Sequence, residues 1–160
     1  MFEQIALFLD GVLPQVCHLH HVGSTAIIGM PAKDIIDVDI ECPPGTMASI
    51  ITALRASGYV HEGDKGITGR EAFRPAPASS ASELPPHHLY ACESGAHELA
   101  RHLIFRDYLV AHAKRAKWLA DEKMASDSAA DTRQAYIEGK SAAYAVIAGE
   151  ALTWAEITEN

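Results

Sequence analysis

Asp37 and Asp39 stand in the run Ile35-Ile36-Asp37-Val38-Asp39-Ile40-Glu41, two acids set into a segment that is otherwise β-branched. Such a run reads as a strand, where residues two apart point to one face. The spacing therefore predicts that Asp37 and Asp39 project together while Ile36, Val38 and Ile40 enter a core. A carboxylate on a half-buried strand needs a cation, a hydrogen-bond donor or solvent beside it. Two carboxylates rooted about 7 Å apart suit a hard divalent cation such as Mg²⁺ or Mn²⁺, which takes oxygen ligands and commonly shares substrate phosphates. Asp37 and Asp39 are thus the expected metal ligands and catalytic acids. The opposing reading of the same pair is the solvated face of an edge strand.

Upstream, His21-Val22-Gly23-Ser24-Thr25 closes an apolar run on small residues. Backbone N–H groups exposed at such a turn can cradle a phosphate, although an ordinary tight strand-to-helix turn has the same composition. Twelve residues separate Ser24 from Asp37. Apolar-Gly-Ser, about a dozen residues, then Asp-apolar-Asp resembles the signature of the nucleotidyltransferase superfamily. The fuller run His21-Val22-Gly23-Ser24-Thr25-Ala26, Gly29-Met30-Pro31-Ala32-Lys33 and Ile35-Ile36-Asp37-Val38-Asp39 is similar to the GrpB family (UPF0157). Gly69-Arg70-Glu71-Ala72-Phe73, Phe105-Arg106-Asp107-Tyr108-Leu109 and Tyr136-Ile137-Glu138-Gly139-Lys140 carry the likeness through nearly the whole chain. The resemblance implies a nucleotidyltransferase-like α+β fold over residues 1–160, with a small mixed β-sheet, flanking helices and a helical C-terminal half. It also implies metal-dependent transfer of a nucleotidyl group from a nucleoside triphosphate to a small-molecule or protein hydroxyl. Two alternatives stand beside it: a non-catalytic nucleotide- or metabolite-binding module, and a metal-dependent phosphohydrolase with His21 and His88 as ligands.

A transferase site of that superfamily usually adds a third carboxylate on a neighbouring strand. Glu41 shares the face of Asp37 but lies about 13 Å along the strand from it. At the later strand stands His87-His88-Leu89-Tyr90, where the family usually shows His-His-Leu-His, so Tyr90 replaces the last imidazole. Imidazole suits Zn²⁺, Mn²⁺ or Ni²⁺ better than Mg²⁺. His88 is accordingly expected as acid, base or phosphate contact, or as a mark of a softer metal; loss of catalysis is the third option. His18 and His61 read as partly buried, hydrogen-bonded residues, and His20 is left open. The phosphate-binding set is Gly23, Ser24, Lys33, Arg70 and Lys140. Lys33 and Arg70 fall in glycine-rich connectors that can swing a long cation over a phosphate, and Lys140 interrupts an apolar helical stripe near Tyr136 and Tyr144. Arg74 and Arg106 read as surface cations, with Asp107 paired to Arg106.

The elements that must position these residues follow from periodicity. Ile5, Phe8, Leu9, Val12 and Leu13 recur at helical spacing and predict a helix over 3–13, stopped at Pro14. Cys17 to Val22 predicts a strand, Met47 to Leu54 a helix capped by Gly58, and Tyr59 to Glu62, Arg70 to Arg74 and His87 to Cys92 three more strands. Residues 75–86, rich in Pro, Ala and Ser, predict a flexible loop or lid. Helical segments then follow over 99–110, 113–124 and 127–151. A single α+β domain with segregated helices accounts for that order.

Composition narrows the function further. A net charge of −8 opposes general nucleic-acid binding, which needs a clustered basic face. Three cysteines, odd in number and in apolar surroundings, predict buried reduced thiols. No apolar run reaches membrane-spanning length, and the first residues carry acids where a signal peptide carries bases, so a cytoplasmic location is expected.

Overall fold

Alternation in Ile36-Asp37-Val38-Asp39-Ile40-Glu41-Cys42 makes strand β2 (Ile36–Cys42), whose Ile36, Val38, Ile40 and Cys42 enter one core and leave the acids to the other face. The computed structural model describes residues 1–129 and 133–158; the side chains of 127–129, 133–137, 139 and 140, that of Lys140 among them, lie outside the described residues. Four further strands join β2: β1 (His18–Val22), β3 (Tyr59–Gly63), β4 (Arg70–Pro75) and β5 (His87–Glu93). They form one sheet in the order β1-β2-β5-β4-β3, with β2 and β5 parallel and the other pairings antiparallel. β2 is an interior strand. The fold class is the mixed α+β one that the sequence predicts.

The chain forms two compact units, Met1–Gly23 with Asp34–Ala100, and Ser24–Lys33 with Arg101–Asn160. In the first, helices α1 (Phe2–Asp10) and α2 (Met47–Ala56) bring Ile5, Leu9, Ile50 and Leu54 against Val38, Ile40, Phe73 and Leu89. Each fully buried aliphatic side chain contributes about 1.5–3 kcal/mol. Both helices therefore cover the apolar face of the sheet, and the face bearing the acids is set by exclusion. α1 ends before Pro14, at Asp10, where the Gly11 N–H donates to the Phe8 carbonyl and the Val12 and Leu13 N–H groups donate to that of Leu9.

Residues 75–86 are not a lid. Ser80–Glu83 form a 3-10 turn capped by the Ser79 hydroxyl, which accepts the Ser82 N–H, and that hydroxyl also lies 2.9 Å from the Gly58 carbonyl. Ala81 is wholly buried and Leu84 packs on the same core. A linker-like composition is here a close-fitting connector, because small side chains let backbone approach the sheet.

In the second unit α3 (His97–Ala111, begun in the first), α4 (Ala113–Ala129) and α5 (Arg133–Thr158) surround Leu109, Leu119, Ile147 and Ala151, with Ile27 and Met30 alongside. A polar network ties these helices. Glu150 accepts a hydrogen bond from the Tyr108 hydroxyl at 2.8 Å and two from Arg115 at 2.8 and 2.6 Å. Arg115 also stacks on Trp118 at 4.3 Å. No helix among the described residues is long and apolar enough to cross a membrane.

Candidate functional site

Directly paired residues in neighbouring strands point to the same face, so strand register alone assembles a polar surface. Val22 pairs with Asp37, His20 with Asp39 and His18 with Glu41. On the other side of β2, Asp37 pairs with His88, Asp39 with Tyr90 and Glu41 with Cys92. Beyond β5, Cys92 pairs with Arg70 and Tyr90 with Ala72. Asp37, Asp39, His88, Tyr90 and Arg70 thus share one face of the first unit.

The edge-strand reading of the acids fails, because β2 is flanked on both sides and Asp39 is 0% exposed. Asp37 is the open member, its side chain 31% exposed and its Oδ1 2.9 Å from Nδ1 of His88. Gly23, at φ +71°, closes on Asp37 from the end of β1. A Cβ built there would meet Asp37 Oδ2 at 2.3 Å. The glycine turn and the acid pair therefore stand on the same side of the sheet, and only a residue without a side chain allows that approach.

Glu41 is not a third ligand. Its carboxylate meets His20 Nε2 at 2.8 Å, and this hydrogen bond, followed by one from Ser94, holds it below the usual carboxylate range. Tyr90 fills the place opposite Asp39. Burial raises its phenol against the opposing field of Arg70, whose guanidinium lies 4.4 Å above the ring.

The histidines divide by face. His21, paired with core residue Val38, stacks on Phe2 at 4.7 Å and 6°, on the side of the sheet away from His88. A hydrolase centre with His21 and His88 as joint ligands is excluded for that reason: positions of opposite parity in paired strands cannot meet. His87 is also on the core side, bonded to the Tyr59 hydroxyl at 2.8 Å, with its pKa lowered chiefly by burial. His61 pairs with Glu71 at 2.6 Å, as a hydrogen-bonded residue should. His18 departs from expectation, being exposed at the start of an edge strand.

Of the predicted cations, Arg74 is drawn to Glu62 at 3.4 Å and Arg106 to Asp107 at 2.7 Å. Lys33 is exposed in the second unit. The residue missed by sequence reading is Lys123. Its Nζ donates to Ser24 Oγ at 2.9 Å and to the Pro31 carbonyl, and the Tyr144 hydroxyl lies 3.0 Å from the same Ser24 oxygen. A signal for it existed, since Lys123 falls three, four and seven residues after Ala120, Leu119 and Ala116 on the buried stripe of α4. Cys42 and Cys92 are buried, Cys17 is half-buried, and all three are free thiols.

Among the described residues no group of three or more His, Cys, Asp or Glu is placed to hold a metal ion. Asp37 and Asp39 contribute two carboxylates to the polar face, spaced two residues apart on β2.

The UPF0157 protein YqkA of Bacillus subtilis is 36% identical over 129 residues, 79% of this chain and 36% of that protein. A UPF0157 protein of Pseudomonas aeruginosa is 33% identical over 142 residues, 84% of this chain and 55% of that protein. The chain thus spans between about a third and somewhat over half of the length of these curated relatives. The crystal structure of conserved protein GrpB from Enterococcus faecalis matches with a TM-score of 0.75 at 28% identity, covering 95% of this chain and 90% of that one. The GrpB protein family model runs over residues 1–149, from α1 through most of α5 and across both the glycine turn and the acid pair, and the chain belongs to the GrpB family.

Proposed function

We propose that the chain is a nucleotidyltransferase that binds a nucleoside triphosphate with a divalent cation on Asp37 and Asp39. The observation that carries this reading is the close approach of Gly23 to the Asp37 carboxylate, a space that any Cβ would fill. Two carboxylate ligands with no imidazole or thiolate suit Mg²⁺ or Mn²⁺ rather than Zn²⁺. When bound, such an ion neutralises phosphate charge and supplies Lewis acidity at the transferred group. The remaining work falls to the chain. The Gly23 turn presents backbone to phosphate oxygens without a side chain in the way. His88, anchored through Nδ1 to Asp37 in the strand position nearest that turn, has Nε2 left to hold a proton against a departing phosphate.

Calorimetry with ATP, GTP, CTP and UTP, with and without Mn²⁺, tests the reading. Metal-dependent binding is expected for the native chain and is lost in Asp37→Asn/Asp39→Asn; unchanged affinity in that variant removes the metal site. The second reading is a nucleotide-binding module without catalysis, favoured by Tyr90 standing opposite Asp39 where a third carboxylate is needed. Pyrophosphate release on adding acceptors marks the transferase, and binding without turnover marks the module.

A further inference from the structure

Arg70 opens β4 on the polar face, and it differs from its neighbour Arg74. Arg74 is paired with Glu62, whereas Arg70 has no ion pair and no hydrogen bond from its side chain among the described residues, and its Nε is buried. What lies against it is the Tyr90 ring, with the guanidinium carbon 4.4 Å from the ring centroid. A guanidinium set over an aromatic ring is restrained in position while its N–H groups remain donors, and the fork matches two oxygens of a carboxylate or phosphate. A buried donor left unmatched is destabilising, which favours a ligand that completes it.

Register says where that ligand comes from. The polar face is laid out in rows: Val22, Asp37 and His88 form the first, His20, Asp39, Tyr90 and Ala72 the second, and His18, Glu41, Cys92 and Arg70 the third. Successive rows are about 6–7 Å apart along the strands. Gly23 continues β1 beyond the first row, so the glycine turn and the root of Arg70 lie on opposite sides of Asp39. The stack on Tyr90 leans the guanidinium back toward the second row. Nucleotidyl transfer is an in-line displacement, with attacking and leaving oxygens on opposite sides of the α-phosphorus. With pyrophosphate leaving at the Gly23 end, the acceptor enters from the Arg70 end.

Resting on the transferase reading above, we infer that Arg70, set over the Tyr90 ring, binds an anionic group of the acceptor, so that the acceptor is a hydroxyl compound carrying a carboxylate or phosphate. Arg70 then does not serve the nucleotide's own phosphates, the role its glycine-rich neighbourhood suggested. In the step itself the acceptor oxygen forms a bond to the α-phosphorus and its proton leaves to water. The bond from that phosphorus to the bridging oxygen breaks, and pyrophosphate departs with the electron pair.

The test is calorimetry on the full chain with inorganic phosphate and with malonate as probes, in the presence and absence of Mn²⁺ and saturating α,β-methylene-ATP. At least one anion should bind, with the analogue leaving its affinity unchanged, and which of the two binds separates a phosphate-bearing from a carboxylate-bearing acceptor. Binding should weaken by about tenfold or more in Arg70→Gln. It should weaken similarly in Arg70→Lys, which keeps the charge but loses the fork. Tyr90→Phe, which keeps the ring, should retain it, and Tyr90→Ala should not. Competition between analogue and anion, or loss of analogue affinity in Arg70→Gln with anion binding intact, overturns the inference. So does a native chain that binds neither anion. Arg70-dependent anion binding in a chain that takes no nucleotide overturns the transferase reading and leaves Arg70 as an anion site.

Discussion

Gly23→Ala measures how tightly the glycine turn is built onto the acid pair. At φ +71° an alanine is in the left-handed region, which costs about 1–2 kcal/mol. Gly66, at φ +79° with no atom within 4 Å of an added Cβ, isolates that backbone effect, so Gly66→Ala should lose about 1–2 kcal/mol. At Gly23 the new methyl would also sit 2.3 Å from Asp37 Oδ2, 3.0 Å from its Cγ and 3.1 Å from its Cβ. Rotating the carboxylate relieves the first contact but not the last, so β1 or β2 must shift. Overpacking of that kind adds about 1–3 kcal/mol, for a total of about 2–5 kcal/mol. At about 2–4 °C per kcal/mol for a chain of this size, thermal melting separates the two variants readily. In an Asp37→Ala background most of the excess at Gly23 should vanish, leaving a coupling of about 1–2 kcal/mol in the double-mutant cycle. Equal losses at Gly23 and Gly66, or no coupling to Asp37, would refute the claim that the turn exists to admit that carboxylate.

Other outcomes follow from the same structure. Ala81→Leu should destabilise by about 1–3 kcal/mol in a melt, because Ala81 is wholly buried under the connector; a mobile lid would absorb the change without loss. Glu150 is held below the usual carboxylate range first by its hydrogen bonds from Arg115. The stability it contributes is present above its unfolded value of about 4.3 and is lost as pH falls through the folded one, so Glu150→Gln should flatten the acid limb of melting temperature against pH. His87 is held below its ordinary value by burial, so the unfolded chain takes up a proton first. Its contribution is complete above about pH 6.5 and declines as pH falls toward the folded value, and His87→Phe should reduce the slope of stability between pH 7 and 5.

Much of the site could be read from the chain because a strand alternates with period two. That rule alone put Asp37 and Asp39 together opposite Ile36, Val38 and Ile40, and Arg70 opposite Phe73. Local geometry also marked the glycine turn. What the chain could not disclose was which strands become neighbours, since pairing of β2 with β5 joins residues about fifty positions apart through no local signal. That pairing set His88 against Asp37, put Tyr90 beside Asp39 and, with β1, sent His21 to the core face and His20 to Glu41. Lys123 reaching Ser24 across 99 positions, and small residues of the 75–86 segment fitting a core, were hidden for the same reason. The sequence by itself determined which side chains share a face, because covalent geometry enforces it residue by residue. The partners those faces meet were decided only by tertiary packing, which satisfies buried apolar area and polar groups for the whole chain at once.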